Sequence, residues 1–263
     1  MLRMLCTPAS MWRQTTGSGY ADALFSARFL YESFRMSLSQ RAWIGVAALA
    51  LVIAGLVFGT AGTFAYGEGW AYLAVFSGAT SWTTAFLIRS APELLERRMH
   101  GGPFAESRSS QAVIMAFASM GFIAMLVVPG LDYRWHYPLE WTRVSTVIEW
   151  IGAALVVVGF YGIFLVFRVN HYAAATIELA ADQTVISTGL YGWVRHPMYA
   201  AGLLLLLGSP LMLGSWLGVL PVICILPFLI WRSLDEEQML KGHLNGYSAY
   251  CAKVRWRMIP GVF

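Results

Sequence analysis

The stretch Thr188-Gly189-Leu190-Tyr191-Gly192-Trp193-Val194-Arg195-His196-Pro197-Met198-Tyr199 sets an Arg-His-Pro turn and two tyrosines directly ahead of an apolar run that continues to Trp231. An arginine and a histidine at the mouth of an apolar hairpin are costly to desolvate unless an anionic or hydrogen-bonding group meets them there. Pro197 lacks an N–H and biases His196 away from helical angles, so the chain is predicted to turn here and start a helix at or just after the proline. At the other end of the run, Arg232 and Glu236 stand four residues apart, hence on one helical face, with Asp235 and Glu237 beside them. Either this pair is an interfacial ion pair anchoring a helix end, or it faces His196 across a shared pocket. A pocket of Arg, His, Tyr and Glu suits a zwitterionic ligand, with carboxylate meeting cation and ammonium or ribose hydroxyl meeting Glu.

The elements that must hold these residues are membrane helices. The chain has 263 residues, of which 58% are hydrophobic and only 12% charged, against about 25% charged in an ordinary soluble domain. Mean hydropathy is +0.60. The expected fold class is all-α, a polytopic helical membrane protein with about five to six transmembrane segments, a C-terminal helical hairpin and a cytosolic tail helix. Three regions follow: a cytoplasmic leader over 1–41, a four-span membrane region over 42–168, and a C-terminal region over 169–263. The first apolar run starts only at Ala42, too late for an ordinary cleaved signal peptide. Within the leader, 23–34 can form an interfacial helix with Phe25, Phe29 and Phe34 on one face.

The spans are expected at about 42–58, 70–88, 112–128 and 145–167, each near the length that a bilayer core demands. Gly67-Glu68-Gly69 reads as a turn, 89–111 as a basic loop, and Pro129-Gly130 as the end of the third span. Glu149, near the start of the fourth, reads as an interfacial carboxylate. Trp135, Tyr137 and Trp141 suit the lipid–water boundary. The apolar stretch 199–231 is too long for one span. Ser209-Pro210 and Gly214-Ser215 break it, so two shorter, tightly turned helices are expected. With the N-terminus cytoplasmic, every Lys and Arg except Arg134 and Arg143 falls on the inner side. That orientation puts the Arg-His-Pro turn and the tail on the cytoplasmic face.

The excess of +4 charges therefore speaks of topology and anionic lipid, not of nucleic acid. Cys6, Cys224 and Cys251 form no C-x-x-C pair, and the five histidines show no metal-binding spacing, so no metal site is expected. Neither a phosphate-binding P-loop nor a G-x-G-x-x-G dinucleotide turn occurs.

Thr188-Gly189-x-Tyr191-x-x-Val194-Arg195-His196-Pro197-Met198-Tyr199-x-x-Gly202, then Glu236-Glu237, Tyr247-x-x-Tyr250 and the basic ending before Pro260, resemble the C-terminal half of the isoprenylcysteine carboxyl methyltransferase and phospholipid methyltransferase group of integral membrane enzymes. The resemblance covers roughly 170–261. It implies S-adenosylmethionine in a pocket at the cytosolic membrane face. Carried over by position, His196, Tyr199, Arg195 and the backbone of Gly189, Leu190 and Tyr191 would hold the cofactor, with Glu236 or Glu237 reaching it from the other end of the hairpin and Asn170 and His171 at the entry to its segment. Arg232 would stand near a substrate carboxylate, with Glu236 as the second catalytic candidate.

Methyl transfer also suits the residues themselves. A sulfonium methyl is already activated, so alignment and exclusion of water are the main tasks, and neither a metal nor a covalent nucleophile is required. A carboxylate acceptor arrives ionised and needs only a cation such as Arg232 to place it. An amine acceptor must shed a proton, for which Glu236 or Glu237 is the available base. The expected partners are membrane lipids and a lipophilic acceptor entering sideways from the bilayer. Carboxyl O-methylation of an isoprenylcysteine is the leading expectation. Methylation of a phospholipid amine or of a small lipophilic thiol or acid, and a non-catalytic scaffold or transporter, stand as alternatives.

Overall fold

A computed structural model describes residues 36–100, 109–135, 142–173 and 183–263. The expected interfacial helix at 23–34, the boundary residues Tyr137 and Trp141, and most of the polar segment before Gln183 lie outside them. The chain divides into two units, 1–41 and 42–263; apart from the first four residues of the first helix, the second contains everything discussed below.

The regular elements of the described residues are all helical. They form α1 (Leu38–Ala61), α2 (Gly67–Ser90), α3 (Pro92–Met99), α4 (Ser109–Trp135), α5 (Thr146–Val169), a 3-10 turn (Gly189–Gly192), α6 (Pro197–Met212), α7 (Val219–His243) and α8 (Tyr247–Lys253). Helices α1, α2, α4 and α5 are long and apolar enough to cross a membrane. At about 1.5 Å per residue, their 24 to 27 residues exceed the roughly 30 Å of a hydrocarbon core. The shorter α6 and the apolar first half of α7 complete the hairpin. Large apolar side chains such as Leu51 and Trp150 stand outward, 74% and 73% exposed, as lipid-facing positions must.

Four boundaries differ from expectation, each for a packing reason. The turn between α1 and α2 falls at 62–66, not at Gly67-Glu68-Gly69. Buried Tyr66 donates its hydroxyl to the Leu213 carbonyl, which fixes the turn earlier, and Glu68 sits in the favourable first turn of the helix. Part of the expected basic loop is α3, amphipathic, with Pro92 at its first position and Leu94 and Leu95 buried. Pro129 does not close the third span; α4 runs through it to Trp135. A proline forfeits one helical hydrogen bond, which membrane helices tolerate, and its ring lies against Gly218. Likewise α6 continues through Pro210, and the hairpin turns beyond it, where Gly214 adopts a φ of 77°.

Helix α6 packs along α5, and α7 along α4. The α5–α6 seam is a close backbone approach: a Cβ on Gly152 would fall 2.4 Å from the Met212 nitrogen, and one on Gly208 would fall 2.6 Å from the Gly152 oxygen. Only glycine fits at either point. The apolar core of the bundle joins Ile53, Val57 and Phe58 of α1 to Tyr72 and Phe76 of α2, Met125 and Leu126 of α4, Val156 of α5, Leu205 of α6 and Val222 of α7. Through these pairings the two ends of the apolar run, His196 and Arg232, return to the same end of the bundle.

A charged cavity between the hairpin ends

Pro197 opens α6, with His196 as the non-helical residue before it. The turn is held from behind by the end of the chain: the Arg195 and His196 N–H groups donate to the carbonyls of Trp256 and Arg257 at 2.9 and 2.8 Å. The last residues therefore pair with the turn along a short parallel bridge between Val194 and Trp256. Arg257 is steadied in turn, because its guanidinium stacks 4.9 Å over the Phe263 ring.

Glu237 ties this assembly to α7. Its carboxylate accepts from Arg195 Nε at 2.7 Å, from Arg257 Nε at 3.3 Å and contacts His196 Nε2 at 3.3 Å, with Lys241 Nζ 3.7 Å away. Burial alone would push the carboxyl up. The hydrogen bond and charge of His196, with the charges of Arg195 and Arg257, overcome that and hold it down at about 2. Glu237 is an anchored anion amid Arg195, Arg257, Lys241 and the His196 ring.

Glu236, one residue earlier, points elsewhere. Its Oε2 accepts from the Tyr199 hydroxyl at 2.6 Å, and the Tyr199 hydroxyl accepts from Arg232 Nε at 3.2 Å. The His196 and Tyr199 rings lie nearly parallel, 5.4 Å between centroids, and His196 Nδ1 is 3.8 Å from Glu236. His196, Tyr199, Arg232 and Glu236 thus form one continuous polar wall, fed from α6 and α7.

That wall closes a cavity of about 360 Å³, within the size of ordinary small-molecule sites. Of the residues singled out in the sequence, Asn170, Tyr191, Arg195, His196, Tyr199, Arg232 and Glu236 line it. Gly189, Leu190, His171 and Glu237 do not. Gly189 and Leu190 form the 3-10 turn behind Tyr191, the His171 carbonyl accepts from Arg97, and Glu237 is turned into its own ion network. The Tyr191 side chain is fixed by a 2.6 Å bond from Asn170, and its carbonyl accepts from Tyr250. Burial, opposed by the Asn170 bond and aided by Glu236, pushes its hydroxyl up to about 12.

Another part of the lining was not legible in the sequence. It comes from Ile114, Met115 and Ala118 on α4, Leu229 on α7 and Arg98 on α3. Arg98 stacks 4.6 Å over Phe167 and donates to the Ala173 carbonyl; burial pulls it down to about 10, still a cation at neutral pH. Tyr247, quoted in the sequence motif without a role, also lines the cavity. Its hydroxyl is buried and has no hydrogen-bond partner among the described residues. Burial, then the charge of Glu237, pushes it well above the usual phenol range, so it stays a donor.

Residues 147–245, from α5 to just past the end of α7, match the model of the phospholipid methyltransferase family. The match begins earlier than the motifs and stops short of Tyr247. A Delta(14)-sterol reductase of Mus musculus is 34% identical over 92 residues, 34% of this chain and 22% of the relative. The aligned region thus spans about a fifth of the relative's length.

Proposed function

We propose that this chain, with its phospholipid methyltransferase segment at residues 147–245, transfers a methyl group from S-adenosylmethionine to a lipophilic acceptor drawn from the bilayer. The observation that carries the reading is the mixed lining of one cavity: the polar side chains of His196, Tyr199, Arg232 and Glu236 and the apolar side chains of Ile114, Met115, Ala118 and Leu229 border the same space. A polar donor and an apolar acceptor can share such a space and meet within it. The charge asymmetry of the loops supports a cytosolic mouth.

The residues fit the cofactor on a feature of their own. Tyr247, which lines the cavity, carries a buried hydroxyl that no described residue takes up, and Glu236 on the same cavity offers a carboxylate for an ammonium or ribose hydroxyl. When bound, S-adenosylmethionine supplies a methyl already activated on sulfonium. His196 and Tyr199, stacked and hydrogen-bonded, present a fixed flat surface against it. Arg232, held by Tyr199, orients an anionic acceptor; a carboxylate of the isoprenylcysteine kind needs no base. With a phospholipid amine as acceptor, Glu236 takes the proton.

Binding of S-adenosylmethionine to the detergent-solubilised full chain, measured by titration calorimetry, tests the cofactor. Affinity is expected to fall at least tenfold in Glu236→Ala and His196→Ala; equal affinity in both variants removes the assignment. Labelled methyl transfer into farnesylcysteine, compared with total lipid, then reads the acceptor.

One observation favours a second reading. Arg98, Arg195 and Arg232 all border the cavity, against Glu236 as the lining carboxylate among the described residues, and the similar mouse protein is named a sterol reductase. Such a wall would also suit a phosphorylated hydride donor. NADPH binding tighter than S-adenosylmethionine binding in the same titration would decide for reduction.

A further inference from the structure

Gln111 lies on α4, well outside the family segment, and no motif marks it. It is fully buried in a helix otherwise built for lipid. A primary amide offers one acceptor oxygen and one donor nitrogen, and here both are engaged across the bundle. Its Oε1 accepts from Arg232 Nη1 at 2.9 Å, and its Nε2 donates to Asp235. Because one side of the amide meets a cation and the other a carboxylate, its orientation is unambiguous.

Two consequences follow for the cavity. The Arg232 guanidinium is held by neutral oxygens from two different helices, Gln111 of α4 and Tyr199 of α6, so its direction is fixed by both. Positions 111, 115 and 118 also share one face of α4, and Met115 and Ala118 form the apolar wall. The bond that aims Arg232 therefore also fixes the height of that wall along α7.

We infer that Gln111 is a positioning residue for the acceptor: it aims Arg232 and sets the register of the α4 wall against the catalytic helices. The methyltransferase segment depends in this way on an amide outside it. The inference rests on the methyl-transfer reading for its kinetic consequence, and on the Gln111–Arg232 contact alone for its structural one.

Gln111→Leu keeps the volume and removes both bonds. The acceptor KM is expected to rise about tenfold, the size of a lost hydrogen bond to a charged group, with S-adenosylmethionine affinity within about twofold of wild type. Gln111→Glu combined with Asp235→Asn exchanges amide and carboxylate while keeping every donor opposite an acceptor, and should return KM to within about threefold. An unchanged KM in Gln111→Leu, or a paired variant as impaired as Gln111→Leu, overturns the inference. A melting cycle of Gln111→Leu and Arg232→Met reads the contact without any activity: the double variant should lose less than the two single shifts together, and additive shifts overturn the inference. Absence of S-adenosylmethionine binding in wild type, with a non-additive cycle, removes the proposed function and leaves the contact standing.

Discussion

The bundle carries a polar cluster at each end, and the two are built in opposite ways. Helix α4 touches both, with Gln111 in one and Asp132 in the other, about 30 Å apart along its axis. At the far end, the Asp132 carboxylate accepts from the Thr142 and Ser215 hydroxyls, and Ser215 Oγ accepts from the Gly218 N–H. Tyr66 stacks on Tyr133 at 4.2 Å, and Arg143 pairs with Glu68 at 3.1 Å. Donors and acceptors there answer one another and pin the turns 62–66, 142–145 and 213–218 together. At the hairpin end the groups are also paired, yet they surround a cavity and leave the Tyr247 hydroxyl with no partner among the described residues. A polar cluster that closes on itself is a clasp. One built around a cavity, with an unmet donor on a residue that lines it, is poised for a ligand, because an unmet buried hydroxyl costs about 1–3 kcal/mol until something meets it.

The largest effect that tests this contrast belongs to Glu237. It is the one closed knot within the open cluster, and Glu237→Ala strands Arg195 and His196, 9% and 5% exposed. Removing one partner of a buried ion pair costs about 3–5 kcal/mol, so melting in detergent should fall by roughly ten degrees. Limited proteolysis should then cut the chain after α7, where the tail has lost its tie. The acid response carries the same signature. Since the folded carboxyl is held at about 2 against an ordinary 4.5, its contribution is present above the ordinary value and is lost as pH falls from about 4.5 toward 2. Wild type should lose stability more steeply over that window than Glu237→Gln; parallel profiles would mean that the ion network does not anchor the tail.

Tyr247→Phe comes next and should act only on binding. The hydroxyl has no partner to lose, so melting should hold or rise slightly, while S-adenosylmethionine affinity drops about tenfold. A variant that melts lower with unchanged affinity would make the hairpin end a clasp as well.

Much of this contrast was readable from the chain and part of it was not. The four long spans followed from apolar length, and the helix start at Pro197 followed from proline's missing N–H and fixed φ. His196, Arg232 and Glu236 stood out because polar and charged groups beside an apolar run require a partner, and Tyr199 through the motif that it closes. Glu236 and Glu237 were indistinguishable as neighbours, and only the fold turns one toward the cavity and the other into the ion network. Pro129 misled because a proline ends a helix in water more readily than in a packed membrane bundle. Gln111 carried no signal at all: a single amide at the edge of a polar loop gains meaning only from residues 121 and 124 positions away. The apolar wall on α4 was hidden for a related reason, since Ile114 and Met115 look like any other span residues until α7 is placed beside them.

The smallest effect sharpens the comparison from the far end. Asp132→Asn keeps the shape of the side chain but replaces one acceptor oxygen with a donor, so Thr142 and Ser215 can no longer both give their hydroxyl protons to it. A neutral hydroxyl can rotate to accept instead, which limits the loss to about 1 kcal/mol, or a few degrees of melting. S-adenosylmethionine affinity and acceptor KM should stay within twofold of wild type, because the clasp holds turns about 30 Å away from the cavity and the helices between them are rigid. A change in KM without a change in melting would show that the far cluster reaches the cavity along α4, and the division between clasp and site would fail.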